Sequence, residues 1–245
     1  MRPIILIPAR MASTRLPGKP LADICGLPMI VHVLHRALEA GLAPVAVACA
    51  EAEIAEVVTA AGGIAILTDP MLASGSDRIH AALQSFDAGG TYDVIINLQG
   101  DLPSIPPDYL SAVLSPLAQE KYDIATLVAP IATPEEAASA SVVKCACAFP
   151  AGEDIAPALY FSRNIVPSGD GPLWHHIGIY AYRRAALEKF VSLPESPLES
   201  REKLEQLRAL EAGMRIGAAR VAQAPFGVDT PADLEHARKT LEPGP

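Results

Sequence analysis

The apolar positions of the first hundred residues fall into short solid runs alternating with helical stripes. Residues 4–7, 44–50 and 64–67 are such runs, and 92–98 reads as a fourth strand although Asp93 and Asn97 interrupt it. Between them, residues 29–41 carry Ile30, Val33, Leu34, Ala37 and Leu38 at helical spacing, closed by Gly41. A second stripe covers 51–61 and ends at Gly62-Gly63, and a third covers 77–86, with Ser76 in place as its cap. A solid run bounded by turn residues predicts a strand buried on both faces. The alternation predicts an α/β fold, a mostly parallel twisted sheet with helices on both faces.

After a helix predicted over 106–118, the pattern changes near residue 123. Longer strands are predicted over 124–131 and 142–149, with a short helix at 134–140 between them. Around 174–183, His176, Gly178, Tyr180 and Tyr182 alternate with Ile177, Ile179 and Ala181, a strand with one polar-aromatic face. On a strand His175 and His176 point to opposite faces, which argues against a shared metal. A helix over 199–213 turns Leu204, Leu207 and Leu210 inward and sets Glu202, Glu205 and Gln206 on one face. A strand follows over 215–222. The organisation expected is a main α/β part, 1–122 plus 216–245, and a smaller α+β sub-domain, 123–215.

Composition narrows the class. Half of the 245 residues are apolar, enough for a sizeable core, and the net charge of -9 argues against a nucleic-acid surface. No apolar stretch is long enough to span a bilayer, and the amino-terminal run is too short for a signal peptide. The four cysteines form neither a C-x-x-C motif nor a zinc spacing, and Cys145 and Cys147 share a strand face. Reduced thiols and a cytoplasmic location are expected, with no nucleic-acid or membrane partner.

Candidate chemistry sits where the runs end, the edge at which open α/β sheets bind ligands. Behind the first run come small residues and three cations, Arg10, Arg15 and Lys19. Exposed backbone N–H groups and guanidinium groups suit a polyphosphate. The string is not a P-loop, because Pro20 follows Gly18-Lys19 and Ser13 stands at the first glycine position; no G-x-G-x-x-G follows the strand either. Behind the 92–98 run, Gln99-Gly100-Asp101 puts a carboxylate beside that basic loop. Phosphate would repel it unless a hard divalent ion joined them, and Mg²⁺ takes one or two carboxylates plus phosphate oxygens. Near the end of the chain Thr230, Pro231 and Asp233 form a capping-box start, with Asp229 just ahead of it.

The string PARMASTRLPGKPL resembles the nucleotide signature of the sugar nucleotidyltransferases, specifically the 3-deoxy-manno-octulosonate (Kdo) cytidylyltransferases. So do SGSDR, QGDLP, YFSR, HHIGIYAY, LEQLRAL and GVDTPADL, in family order over nearly the whole chain. The resemblance implies a nucleotide-diphospho-sugar transferase-like fold. It implies that Pro8, Ala9, Arg10, Arg15, Lys19, Ser74, Gly75, Arg78 and Gln99 contact CTP. It assigns the sugar acid to Arg163, His176, Tyr180, Glu205 and Gln206. It makes Asp101 and Asp229 the ligands of Mg²⁺ and, with Lys19, the catalytic residues. The implied reaction activates Kdo with CTP, giving CMP-Kdo and pyrophosphate for lipopolysaccharide biosynthesis, in a homodimer built through residues 123–215. Leu102 stands where the family usually has glutamate, which removes a second acid and a D-x-D-type motif. An 8-amino analogue of Kdo is an alternative acceptor. A nucleotide-sugar-dependent glycosyltransferase lacks its D-x-D here, and a silent nucleotide sensor would not need Lys19, Asp101 and Asp229.

Overall fold

The computed structural model describes residues 1–242; positions 243–245, the end of the expected main part, lie outside the described residues. The chain forms two compact units, residues 1–110 with the chain from 225 onward, and residues 111–224.

In the first unit the solid runs are strands. These are β1 Pro3–Ala9, then a small hairpin of β2 Asp23–Ile24 and β3 Leu27–Pro28, then β4 Val45–Cys49, β5 Ile64–Leu67 and β6 Val94–Asn97. The long strands pair in the order β5-β4-β1-β6, every pair parallel. Ile4, Ile5, Leu6 and Ile7 are fully buried, as a strand covered on both faces requires. The stripes are helices α1 Met29–Glu39, α2 Ala52–Ala60 and α3 Gly75–Phe86. The cap of α3 is Ser74, not Ser76. Asp77, three residues after Ser74, returns a bond to the Ser74 N–H and completes a capping box; three residues after Ser76 stands Ile79, which cannot. The helix expected over 106–118 is two short pieces, α4 Asp108–Ala112 and a 3₁₀ turn at Ser115–Ala118, where Pro116 has no N–H to donate.

The second unit contains β7 Ile124–Pro130, α5 Pro134–Ala138, β8 Lys144–Ala146, β9 Ile155–Pro157, β10 Tyr160–Ser162, β11 Trp174–Arg183, α6 Arg184–Ser192, α7 Pro197–Glu202, α8 Gln206–Glu211 and β12 Ile216–Arg220. Here β7 pairs antiparallel with β11 and parallel with β12, β9 edges β12, and β8 pairs with both β10 and β11. The strand expected over 142–149 is only three residues long, because its partner β10 offers three residues to pair with. The helix expected over 199–213 is broken. Lys203 adopts the left-handed conformation at φ 56°, and α7 and α8 meet at a corner there. A bidentate pair locks the corner, Arg208 Nη2 to Glu199 Oε1 at 2.6 Å and Nε to Oε2 at 2.8 Å. Glu202, Glu205 and Gln206 therefore do not share one helix face. The chain then returns to the first unit as α9 Pro231–Leu241, opened by the expected capping box of Thr230 and Asp233. Among the described residues no helix is long and apolar enough to cross a membrane.

Candidate active site

The basic loop behind β1 is shaped by local turns. Gly18 takes φ 69°, a conformation glycine adopts without strain, and Lys19 N–H donates to Leu16 O. Leu16 is the loop's anchor: it is buried in one apolar cluster with Ile24, Met29, Val228 and Leu234. That cluster draws together the first loop and the segment before α9, which are far apart in sequence. The Val228 N–H then bonds to Asp101 O at 2.9 Å, bringing Asp229 beside Asp101.

At this junction Lys19 Nζ donates to Asp101 Oδ2 at 2.7 Å and to Asp229 Oδ1 at 2.9 Å. Arg15 Nη2 lies 3.0 Å from Asp229 Oδ2. The pairs differ in weight. Arg15 and Asp229 are 61% and 47% exposed, so that contact contributes under about 1 kcal/mol. Lys19 and Asp101 are 16% and 30% exposed, so theirs is the less screened and the stronger of the two pairs. Burial pushes the Lys19 ammonium down, but Asp101 and then Asp229 outweigh it and leave its pKa above the ordinary lysine value.

These residues line one cleft of 690 Å³ in the first unit with Pro8, Ala9, Arg10, Gly75, Arg78 and Gln99. Of the nucleotide residues proposed from the motifs, only Ser74 is absent from the wall, its hydroxyl engaged with Asp77. Gly75 crosses close behind Pro8, where a Cβ would stand 3.3 Å from the Pro8 ring. Arg78 is buried and turns Nη1 onto Thr68 Oγ1 at 2.6 Å and Asp69 O at 3.0 Å. Burial, then the nearby Arg10 charge, lowers its pKa from the ordinary arginine value. The cleft also takes Ala12, Ser13, Thr14, Pro20 and Gly100 into its wall. These residues carry no distinctive side-chain chemistry; the signal that marks them is their place inside the loop strings. Leu102 is buried beside Gly227 and lies outside the wall, so it adds nothing to the cleft's charge.

The cleft is a cationic bowl with two carboxylates at its foot, the donor set for a polyphosphate and a hard divalent cation. The two carboxylates already converge on one cation, the Lys19 ammonium, which is the geometry a shared ion requires. Among the described residues no third His, Cys, Asp or Glu joins them, so phosphate and water would complete such an ion's shell.

The second unit gathers the remaining residues proposed from the motifs. The rings of His176 and Tyr180 meet at a tilt of 48° with 5.5 Å between centroids, and Phe161 meets His176 edge-on at 4.8 Å. A bulge in β11 between Ile177 and Tyr180 keeps both rings together. Thr126 Oγ lies 3.0 Å from His176 Nε2, 3.1 Å from Ile177 O and 2.9 Å from Ile179 O. The single hydroxyl proton goes to a carbonyl, so Nε2–H donates to the hydroxyl and Nδ1 is left as an acceptor. Burial, with a smaller push from His175, lowers the His176 pKa to about 3, so the ring is neutral. Burial raises the Tyr180 pKa well above normal, and Tyr182 and Glu205 add to it. Gln206 is buried at the start of α8, and among the described residues its Nε2 has no partner. His175 turns the other way, to Glu136 at 2.9 Å. Arg163 is held differently: its guanidinium is directed at backbone carbonyls of Ala140, Glu202 and Lys203.

Residues 4–216 match the family model described as Cytidylyltransferase. The chain belongs to the cytidylyltransferase family. A 3-deoxy-manno-octulosonate cytidylyltransferase of Paramagnetospirillum magneticum is 57% identical over 242 residues, 99% of this chain and 98% of that protein. One from Rhodopseudomonas palustris is 61% identical over 238 residues, 97% of each. A solved CMP:2-keto-3-deoxy-manno-octonic acid synthetase complexed with CTP has a TM-score of 0.88 at 41% identity and covers 98% of both chains. A cytidylyltransferase from Leptospira borgpetersenii, at 18% identity and TM-score 0.61, covers 97% of this chain and 85% of its own and shares the fold. For this cytidylyltransferase the fold class expected from the apolar pattern holds, and the family is the one its loop strings resemble.

Proposed function

We propose that this cytidylyltransferase activates Kdo with CTP. The anomeric hydroxyl of the sugar acid attacks the α-phosphorus of CTP, a new P–O bond forms, and the bond to the β-phosphate breaks. CMP-Kdo and pyrophosphate are the products. The observation that carries the proposal is the Lys19 ammonium shared by Asp101 and Asp229 at the foot of a cleft walled by Arg10, Arg15 and Arg78. Relatives at 57–61% identity bearing the Kdo cytidylyltransferase name support the choice of substrates.

Phosphoryl chemistry leaves little covalent work for a protein, so position and charge carry the rate. Arg10, Arg15 and Lys19 hold the triphosphate, Pro8, Ala9, Gly75, Arg78 and Gln99 set the rest of the nucleotide, and Ser74 caps the helix that carries Gly75 and Arg78. Asp101 and Asp229 hold Mg²⁺, which fits their hard oxygen donors and shared focus. Bound there, it supplies charge at the phosphate oxygens and lowers the pKa of the attacking hydroxyl. Until that ion takes its place, Lys19 keeps the two carboxylates side by side, where they would otherwise repel. Neutral His176 accepts a hydrogen bond from a sugar hydroxyl at Nδ1, and the unpartnered Gln206 amide donates to a sugar oxygen. Tyr180 and Glu205 complete the acceptor site, and Arg163, its guanidinium engaged with the carbonyls of Ala140, Glu202 and Lys203, supports that site without touching the sugar. The enzyme works as a cytoplasmic homodimer joined through the second unit.

Pyrophosphate release is measured with each of four nucleoside triphosphates against Kdo, 8-amino-Kdo and other sugar acids. CTP with Kdo gives the highest kcat/KM. Equal turnover with UTP would overturn the base assignment, and preference for the amino sugar would move the acceptor to that analogue.

A further inference from the structure

Two charged side chains of the second unit play no part in the chemistry above. Lys144 is fully buried, and among the described residues its ammonium meets no carboxylate. Its Nζ donates to three carbonyls, Ser139 O at 2.7 Å, Val142 O at 2.8 Å and Arg163 O at 2.8 Å. Glu202 takes the other side of the same residue. Its carboxylate accepts from Arg163 N–H at 3.1 Å, Ser162 Oγ at 2.9 Å and Tyr160 OH at 3.4 Å. The Arg163 side chain then bonds back, Nε to Glu202 O at 2.9 Å, Nη1 to Ala140 O at 3.0 Å and Nη2 to Lys203 O at 3.4 Å.

The bonds of this network tie two points together and anchor them to the carbonyls of Ser139, Ala140 and Val142. One is the turn at Ser162-Arg163 that ends β10, and the other is the break at Glu202-Lys203. The break carries a non-glycine residue in the left-handed conformation, which persists only where surroundings enforce it. Just beyond it stand Glu205 and Gln206, the latter with its buried donor unpaired. A buried, unpaired amide is useful only if the ligand atom arrives at a set place.

We infer that Glu202 is a positioning residue of the acceptor site, with Lys144 as its counterpart: through the Arg163 turn they hold the α7–α8 break, and so set where the Gln206 amide points. The inference rests on the assignment of Gln206 to the sugar acid. Glu202 acts through Gln206 and makes no contact with substrate.

The test is steady-state kinetics with Kdo varied at saturating CTP and CTP varied at saturating Kdo, alongside thermal unfolding. Gln206→Ala and Glu202→Gln each raise the KM for Kdo about tenfold and leave the KM for CTP within about twofold. The double variant is no worse than Gln206→Ala alone, because both act on one contact. Ser162→Ala, a smaller change to the same network, shifts the KM for Kdo the same way by about threefold, and it decides the matter if Glu202→Gln does not fold. If Gln206→Ala raises the KM for Kdo while Glu202→Gln and Ser162→Ala do not, the positioning role is overturned and the acceptor site stands. If Glu202→Gln raises both KM values together, its role is general structure and the inference falls. If Gln206→Ala moves neither KM, the acceptor assignment falls and takes the inference with it.

Discussion

Asp101 and Asp229 share one ammonium, and each retains enough exposure to exchange it for another cation. Neither carboxylate has a packing task that asparagine could not perform. Asp101→Asn and Asp229→Asn are each expected to lower turnover at least about a hundredfold while leaving the unfolding temperature near wild type. Ligands of one ion act as a unit, so the double variant should lose little more than either single one. Turnover against Mg²⁺ concentration for the three variants checks this; near-wild-type turnover in Asp229→Asn would reduce Asp229 to a residue ahead of a helix cap. The chemistry of this junction was legible in the sequence because arginines, lysine and aspartates at strand ends are conspicuous. Its assembly was not. Leu16 and Val228 look like any buried aliphatic residue, and only the fold reveals that they pack in one cluster. The pairing of Lys19 with both aspartates was invisible for the same reason.

Elements with a strong period were read correctly from residues 1 to 100, and those that depend on tertiary support were not. The α7–α8 break has no glycine or proline to announce it; Lys203 takes a conformation that costs an L-residue about 1–2 kcal/mol. Lys203→Gly removes that penalty at some cost in chain entropy. The expected gain is up to about 1 kcal/mol, or roughly 2–4 °C in thermal midpoint for a chain this long. A lower midpoint would mean that the Lys203 side chain itself holds the corner. Gly217 on β12 shows the opposite case, since its φ is unremarkable and only space is at stake. A Cβ there would stand 2.6 Å from the Pro116 side chain and 2.9 Å from the Tyr122 ring. Neither can step aside within a packed core, so Gly217→Ala should destabilise by about 1–3 kcal/mol in urea unfolding. A neutral outcome would show that the Pro116 turn yields. Of the three-residue strands, β8 was legible in place but not in length, and β9 and β10 not at all, because a strand's length is set by its partner and periodicity sees only one chain segment at a time.

For the molecule as a whole, two properties can be measured. The proposed homodimer should scatter light at about twice 25.7 kDa at micromolar concentration, and a monomer there would refute it. Stability against pH is the second. His176 titrates near 3 in the folded chain and near 6.5 when unfolded. Between those values the unfolded chain binds a proton that the folded chain does not, so stability falls as pH falls. The slope is about 1.4 kcal/mol per pH unit below 6.5. Carboxylates enter later. Burial pushes Glu199 up, but its bonds from Arg208 and Ser196 hold it below the usual value; Asp233 is likewise held down by Thr230 and Asp229. Their contributions are intact above the unfolded carboxylate pKa and are lost only as pH falls through the lower folded values. The interval from pH 6.5 to 5 therefore belongs to imidazole, and comparison with His176→Gln isolates this one. From pH 7 to pH 5 the wild type should lose about 2 kcal/mol more than the variant, read as a larger drop in urea midpoint. Parallel curves for the two proteins would mean that His176 accepts its proton in the folded state, and with it would fall the neutral ring that offers Nδ1 to the sugar.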